Sequence, residues 1–219
     1  MRESVILRGE GGVRARWRIV VADAHRLWRH TLRKVLEGFG AYCVVGEAAS
    51  GEALLEQAER ARPDLILTDA ILPVLDGIET LKRLRDVVPV PRALVLSEIE
   101  DPEVVREAFA AGAIGYISKC EDLAVLRRAL GAVCRGFSFL SPRVARGILE
   151  FAQEGAVGRR FGRKSIPLVE LELLRFLAKG WSDKGIAAAL GLGLEAVNYY
   201  RLDLLRRLSQ MTPTSNPRL

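Results

Sequence analysis

Five short apolar runs, rich in β-branched residues, alternate with longer stretches of helical spacing in the first part of the chain. Near-continuous apolar runs are typical of strands buried on both faces, and strands that alternate with helices form a parallel sheet. With right-handed crossovers, this pattern predicts a doubly wound α/β domain with a five-stranded parallel sheet over residues 16–137. The runs are RIVVAD (18–23), YCVVGEA (42–48), DLILTD (64–69), ALVLS (93–97) and GYIS (115–118), and helices are expected near 26–37, 51–61, 76–87, 101–111 and 121–135.

The pattern changes after the fifth run. SFLSPRVARGILEFA predicts one more helix, and EGAVGRRFGRKS (154–165), which is rich in Gly and Arg, predicts a linker. Three helical segments then follow, separated by Gly180 and Gly191, with Ser182 as N-cap of the second. A short Gly-containing turn between two helices is typical of a helix-turn-helix domain. The predicted division is an N-terminal extension (1–15), the α/β domain (16–137), a connecting helix and linker (138–165), a small all-α domain (166–210) and a flexible tail (211–219).

The net charge of +6 is confined to one end of the chain. From Gly158 onward there are 11 Lys/Arg against 5 Asp/Glu, and the remainder of the chain is neutral. A basic domain joined to a neutral one indicates that the basic part binds a polyanion, although a solvated basic face is the plainer alternative.

Other compositional features point to a cytoplasmic protein. No apolar run approaches the ~20 residues that a membrane-spanning helix needs, and the N-terminus has no apolar core of signal-peptide length. The three cysteines (Cys43, Cys120, Cys134) lack CxxC spacing, so reduced thiols are expected rather than a disulfide or metal role.

Polar side chains stand where the predicted strands end. Asp23 ends the first strand, Asp69 the third and Ser97 the fourth, and Lys119 follows the fifth. Strand ends of a doubly wound sheet meet at one rim. Two carboxylates, a hydroxyl and an ammonium are suited to hold a phosphoryl group, since a carboxylate can attack phosphorus and the other groups can bind its oxygens.

These motifs resemble the two-domain response regulators of the NarL/FixJ type, in which a flavodoxin-like receiver precedes a LuxR-type helix-turn-helix. ARPDLILTDAILPVLDGIETLKRLR is similar to the segment around the phosphoacceptor, which falls on Asp69, with Pro73 and Asp76-Gly77 in the matching loop. AGAIGYISK ends in the family's lysine, Lys119, with Tyr116 at the aromatic switch position, and Ser97 takes the Ser/Thr position. The resemblance implies a DNA-binding transcription regulator, a homodimer, and a sensor histidine kinase or another regulator as partner.

One residue departs from the family pattern. Family members usually carry two adjacent acids after the first strand, which hold Mg²⁺ together with the phosphoacceptor, and here the pair is Asp23-Ala24. Because alanine offers no oxygen, Asp23 and Asp69 would form a weak metal site or none. We expect Mg²⁺-dependent phosphorylation of Asp69 to be impaired or absent; the alternative is a conventional receiver that tolerates the missing ligand. His25 is interpreted as a local hydrogen-bonding residue.

LELLRFLAKGWSDKGIAAALGLGLEAVNYYRLDLLRRL resembles the LuxR-type DNA-binding domain. By position, the residues expected to face bases are Asn198, Tyr199 and Leu202, and those expected to meet phosphates are Lys184, Arg201, Arg206 and Arg207. Arg201 falls where an apolar core residue is common in the family, so its stem is expected to snorkel toward solvent or the helix to be rotated. The family's usual cations at Asn198 and Tyr200 are missing.

Three functions compete. The favoured one is a transcription regulator without enzymatic activity. The second is a signalling adaptor that binds proteins and not DNA, which would leave the helical domain as a protein-binding bundle. A phosphoryl-transfer enzyme is poorly supported, because the chain has no GxxxxGK phosphate loop.

Overall fold

The structure is a computed structural model that describes residues 6–7, 14–86, 89–158 and 167–210, with the side chains of 16–86, 89–152 and 167–207. The chain divides into two compact units, residues 1–96 and 97–219. Among the described residues, no helix is long and apolar enough to cross a bilayer. The predicted tail (211–219) and most of the predicted linker lie outside the described residues.

The strands form one main sheet and a separate pair. The main sheet has six strands in the order β4-β3-β5-β6-β7-β8, and β1 pairs with β2 antiparallel. The pairings of β3 with β4 and β5, of β5 with β6, and of β7 with β8 are parallel. The strand bounds are β1 Ile6–Leu7, β2 Arg14–Ala15, β3 Trp17–Ala22, β4 Tyr42–Ala48, β5 Leu65–Thr68, β6 Arg92–Ser97, β7 Gly115–Ser118 and β8 Phe139–Leu140.

Helices lie between the strands and after them. The bounds are α1 Arg26–Gly38, α2 Gly51–Ala61, α3 Gly77–Arg83, α4 Pro102–Ala111, α5 Leu123–Cys134, α6 Pro142–Gly158, α7 Leu168–Ala178, α8 Asp183–Leu190 and α9 Leu194–Gln210, with a 3₁₀ turn at Leu84–Asp86.

The predicted parallel α/β fold is confirmed, and burial explains why its strands could be read from the sequence. All four residues of β5 are buried, as are the last four of β3, because strands inside a parallel sheet are covered on both faces. β4 alternates between buried and half-buried residues, as suits the edge of the sheet. Each predicted strand lies within one residue of its observed bounds.

Two details of the prediction are wrong. The sheet has six strands rather than five, because the short pair Phe139–Leu140 adds to β7 as β8. The N-terminal extension, for which no element was predicted, contains β1 and β2. The linker was expected to start at residue 154, but α6 continues to Gly158. A two-residue strand is too short to show an alternating pattern, and a single glycine is tolerated in a helix at modest cost.

Candidate functional site: an acidic strand edge and a helix-turn-helix

Two acidic residues follow neighbouring strands at the carboxyl edge of the first unit. Asp23 follows β3 and Asp69 follows β5, and these strands are paired with Ala22 opposite Thr68. The backbone N–H of Asp69 donates to the carbonyl of Ala22 at 2.9 Å. The register of two parallel strands therefore places both acids at one edge, as the sequence predicted.

The Asp23 carboxylate is buried and held by its own loop. The residue is 1% exposed, and its Oδ1 accepts a hydrogen bond from the backbone N–H of His25 at 2.7 Å. The His25 ring nitrogen Nδ1 lies 3.3 Å from the same oxygen, which confirms the local role expected for this histidine. The carbonyls of Asp23 and Ala24 both accept from Nη1 of Arg29, at 2.7 and 3.2 Å. The sequence did not indicate this use of Arg29.

The side chains at this edge are a poor set of ligands for Mg²⁺. The ion prefers oxygen ligands in near-octahedral geometry. Ala24 is exposed and offers no side-chain oxygen, and Oδ1 of Asp23 already accepts from His25. Among the described residues, no three His, Cys, Asp or Glu side chains are grouped so as to hold a metal. Asp23 and Asp69 supply two carboxylates where the family has three, which is a poorer ligand set for Mg²⁺.

The loop after Asp69 is tightly packed at Gly77. A Cβ atom at Gly77 would lie 2.2 Å from the carbonyl oxygen of Asp69, so only glycine fits against this backbone. The neighbouring Asp76 caps α3, accepting from the N–H of Ile78 at 2.8 Å. Val74 has a φ of 67°, a left-handed conformation that β-branched residues rarely adopt. Close packing and a strained backbone thus fix the loop that carries Asp69.

The other three receiver positions belong to the second unit. Ser97 is 1% exposed, and its carbonyl accepts from the backbone N–H of Lys119 at 2.8 Å. Lys119 itself is half-buried. Tyr116 is fully buried, and its hydroxyl donates to the carbonyl of Ile99 at 2.8 Å. The aromatic side chain at the predicted switch position therefore points inward.

The predicted helix-turn-helix is present. Ser182 caps α8 by accepting from the N–H of Gly185 at 3.2 Å, and Gly191 ends the helix with a φ of 65°. Both capping predictions are confirmed. The turn between α8 and α9 is short, spanning Gly191 to Gly193.

Arg201 lies inside the fold rather than at its surface. It is 1% exposed, its Nη1 donates to the carbonyl of Ser138 at 2.6 Å, and its Nη2 pairs with Asp183. The expectation that its stem snorkels to solvent is wrong. A buried guanidinium needs a charged or carbonyl partner, and Asp183 and Ser138 supply both. In this conformation its guanidinium does not face a phosphate backbone.

Asn198 is also held by Ser138. Its Oδ1 accepts from the backbone N–H of Ser138 at 3.0 Å and from the Ser138 hydroxyl at 3.1 Å. The amide oxygen of a residue predicted to face bases is thus occupied within the second unit. Contact between that oxygen and DNA requires these two bonds to open.

Glu170 of α7 forms a cluster of charges with Asp203 and Arg207 of α9. Glu170 is 1% exposed, and its Oε1 accepts from Nε of Arg207 at 3.1 Å. Arg207 also donates to Asp203 at 2.9 Å. Burial, opposed by the charge of Arg207 and reinforced by that of Asp203, raises the pKa of Glu170 to about 7. Arg207 therefore has two carboxylate partners in the fold.

The remaining predicted DNA contacts are more accessible. Lys184, Tyr199 and Arg206 are exposed, with Tyr199 at 61%, and Leu202 is half-buried. The sequence did not predict the ion pairs of Arg201 with Asp183 and of Arg207 with Glu170. The one signal was the position of Arg201 in the apolar repeat of α9, which is the repeat of a buried face.

Comparisons with known proteins agree with this architecture. Residues 19–131 match the response regulator receiver domain family. The chain is similar to the transcriptional activator protein ExaE of Pseudomonas putida, with 32% identity over 89% of this chain and 90% of ExaE. It is similar to the crystal structure of a LuxR-family two-component response regulator from Aurantimonas sp. SI85-9A1, with 32% identity, a TM-score of 0.59, and coverage of 62% of this chain and 97% of that one.

The fold of the whole chain is similar to that of RcsB in a structure of two RcsB dimers bound to two parallel DNAs. The identity is 22%, the TM-score 0.57, and the coverage 90% of this chain and 94% of RcsB. The match to the receiver family covers more than half of the sequence, and the relatives extend across the helical domain. The chain therefore belongs to the response regulator family, in its two-domain NarL/FixJ type.

Proposed function

We propose that this protein is a transcription regulator that binds DNA as a homodimer through α8 and α9. The observation that carries the proposal is the capped α8, the short turn and α9, which present Lys184, Tyr199 and Arg206 at the surface. In helix-turn-helix domains the second helix enters the major groove, and basic residues bind the backbone. The relative ExaE, a transcriptional activator, and the DNA-bound dimers of RcsB support the assignment.

The salt dependence of DNA binding tests this proposal. Each phosphate that a cation neutralises releases counterions, so affinity for promoter DNA should fall steeply as salt rises. Lys184→Ala and Arg206→Ala should each weaken binding and reduce the slope of log K against log salt by about 1. Arg60→Ala, which removes an exposed cation from α2, serves as the control and should change neither quantity. A flat salt response would reject DNA binding and favour the adaptor function.

The adaptor function has one observation in its favour. Asn198 and Arg201, two residues of the expected reading face, are engaged by Ser138 and Asp183. A helical domain whose polar residues turn inward could serve as a protein-binding bundle. Pull-down with the full chain and footprinting on genomic DNA separate the two, since an adaptor would leave no footprint.

For the receiver, we infer that phosphorylation of Asp69 is impaired or absent, and that signalling does not depend on it. Ala24 supplies no metal ligand, so Asp23 and Asp69 are the two carboxylates present at these positions where the family has three. The acidic positions Asp23 and Asp69, with Ser97, Tyr116 and Lys119, would then act as a fixed part of the fold rather than as a phosphorylation switch. Incubation with acetyl phosphate and Mg²⁺ tests the inference, and stoichiometric labelling at Asp69 would overturn it in favour of a conventional receiver.

A further inference from the structure

The second unit contains a cleft of about 670 Å³ between α5 and the start of α8. Arg135, Phe137 and Phe139 form its floor, and the first turn of α8 and Leu194 line it as well. Pockets that bind organic ligands typically have volumes of roughly 300–1,000 Å³. The cleft is thus large enough for a molecule of nucleotide size.

The wall of this cleft is strongly basic. Four cations line it, namely Arg127 and Arg128 from α5, Arg135 directly after α5, and Lys184 from α8. Asp183 is the one carboxylate in the lining, and the buried guanidinium of Arg201 already neutralises it. The positive end of the α8 dipole adds to the same charge, because Ser182, Asp183 and Lys184 form its N-terminus. The cleft therefore attracts anions.

The floor of the cleft is aromatic. Phe139 is buried and Phe137 half-buried, and both line the cleft with Ala132. The guanidinium of Arg135 lies 5.8 Å from the ring centre of Phe137, and that of Arg128 lies 6.0 Å from the ring centre of Phe139. Each guanidinium therefore lies over its ring in a cation–π contact. Phe137 is the more exposed of the two rings, and a planar base could replace Arg135 on it while Arg135 turns to a phosphate.

The two walls are already joined by hydrogen bonds. Nη1 of Arg128 donates to the carbonyl of Gly180 at 3.3 Å, and its Nη2 to that of Trp181 at 3.5 Å. A ligand in the cleft would contact α5 of the receiver and α8 of the helix-turn-helix together. Binding would consequently favour the arrangement of these two helices seen in this structure.

We propose that this cleft binds a nucleotide, whose phosphates pair with Arg135 and Lys184 and whose base lies against Phe137 in place of the Arg135 guanidinium. Arginine forks bind phosphate oxygens bidentately, and desolvated aromatic rings stack on a base.

Isothermal titration calorimetry with the full chain tests the proposal, using ATP, adenosine and tripolyphosphate as separate probes. ATP should bind at least about tenfold more tightly than either fragment, because it alone engages both the cations and the Phe137 ring. Binding of ATP is measured without DNA, so its failure and a failure of DNA binding are distinguishable.

Two variants test the location of the site. Arg135→Glu reverses one charge at the cleft, and Gly131→Leu fills it without changing the charge. A Cβ atom at Gly131 meets only a nitrogen of Arg135, at 3.5 Å, so leucine fits the helix there. Each variant should weaken ATP binding by about tenfold or more. The matched controls are Arg60→Glu, an exposed arginine of α2, and Gly38→Leu, an α1 position with no atom within 4 Å of its Cβ.

The controls should bind ATP as the unchanged protein does, and circular dichroism checks that all four variants fold. The proposal is overturned if ATP does not bind, or if Arg135→Glu and Gly131→Leu bind ATP as tightly as the unchanged protein does. Equal affinity for tripolyphosphate and ATP would also overturn it, because the Phe137 ring would then play no part. Loss of DNA binding in both cleft variants without any ATP binding would assign the cations to DNA instead.

Discussion

The strand edge at β3 and β5 and the surface of α9 both carry polar residues, but the fold positions them by different means. Asp23 and Asp69 follow strands whose backbones are hydrogen-bonded in register. Asn198 and Arg201 are positioned by side-chain bonds to Ser138 and Asp183, residues that lie outside α9. Backbone pairing is local to the sheet, whereas the exposure of a helix face depends on what packs against it.

This difference decides which residues can be assigned a function from their position. An acid at the end of a parallel strand must lie at the carboxyl edge, whatever surrounds it. A cation on a helix can face solvent or turn inward to a carboxylate, and in α9 Arg201 turns inward while Arg206 is exposed. Substitutions at the strand edge and in the helical domain should therefore have different effects.

The largest effect is expected at the strand edge. Ala24→Asp adds the missing carboxylate at an exposed position and should raise the rate of Mg²⁺-dependent labelling of Asp69 by acetyl phosphate by about 100-fold or more. The measurement is phosphoprotein formation over time. Ala24→Asn is the matched control, because it adds a side chain of the same shape without the charge.

Labelling of Ala24→Asp should vanish when Asp69 is replaced by asparagine or when Mg²⁺ is omitted. If the unchanged protein and Ala24→Asp are labelled at the same rate, the missing third acid does not limit phosphorylation of Asp69. Position at a strand end would then not explain the activity of this edge.

The second effect concerns α9. Arg201→Ala should lower the free energy of unfolding by about 3–5 kcal/mol, because it leaves Asp183 and the Ser138 carbonyl without their buried partner. Urea unfolding measures the change. Arg206→Ala removes an exposed arginine from the same helix and should cost less than about 0.5 kcal/mol. Equal costs for the two variants would contradict an inward role for Arg201.

Features that depend on local sequence could be predicted, whereas features that depend on contacts between distant segments could not. β3 and β5 were predictable because buried parallel strands are apolar without interruption, and Ser182 and Gly191 because caps are local. β8 was missed because two residues carry no periodicity. The partners of Asn198 and Glu170 were missed because Ser138 and Arg207 lie 60 and 37 positions away in sequence. No spacing rule links residues so far apart on separate elements.

A third prediction tests how the Asp69 loop is held. Gly77→Ala should destabilise the protein by about 2–3 kcal/mol, because its Cβ would lie 2.2 Å from the Asp69 carbonyl oxygen and the loop must shift. Gly38→Ala, where a Cβ has no neighbour within 4 Å, should be neutral or slightly stabilising. Thermal unfolding of the pair checks this. If Gly77→Ala leaves the stability unchanged, backbone packing at Gly77 does not fix the loop that carries Asp69.

The smallest effect arises from Glu170, the buried acid of the helical domain. Its pKa is raised to about 7, mainly by burial, above the value of 4.5 expected for an unfolded chain. The folded state therefore binds a proton more tightly than the unfolded state, and stability falls as pH rises between the two values. From pH 5 to pH 6.5 we expect the contribution of Glu170 to the free energy of unfolding to fall by about 2 kcal/mol.

Glu170→Gln should remove that part of the pH dependence of stability. Glu172→Gln, at a half-buried position of the same helix, should keep it. Urea unfolding at the two pH values measures both. If the free energy of unfolding of Glu170→Gln changes with pH as that of the unchanged protein does, Arg207 keeps the Glu170 carboxylate ionised over this pH range.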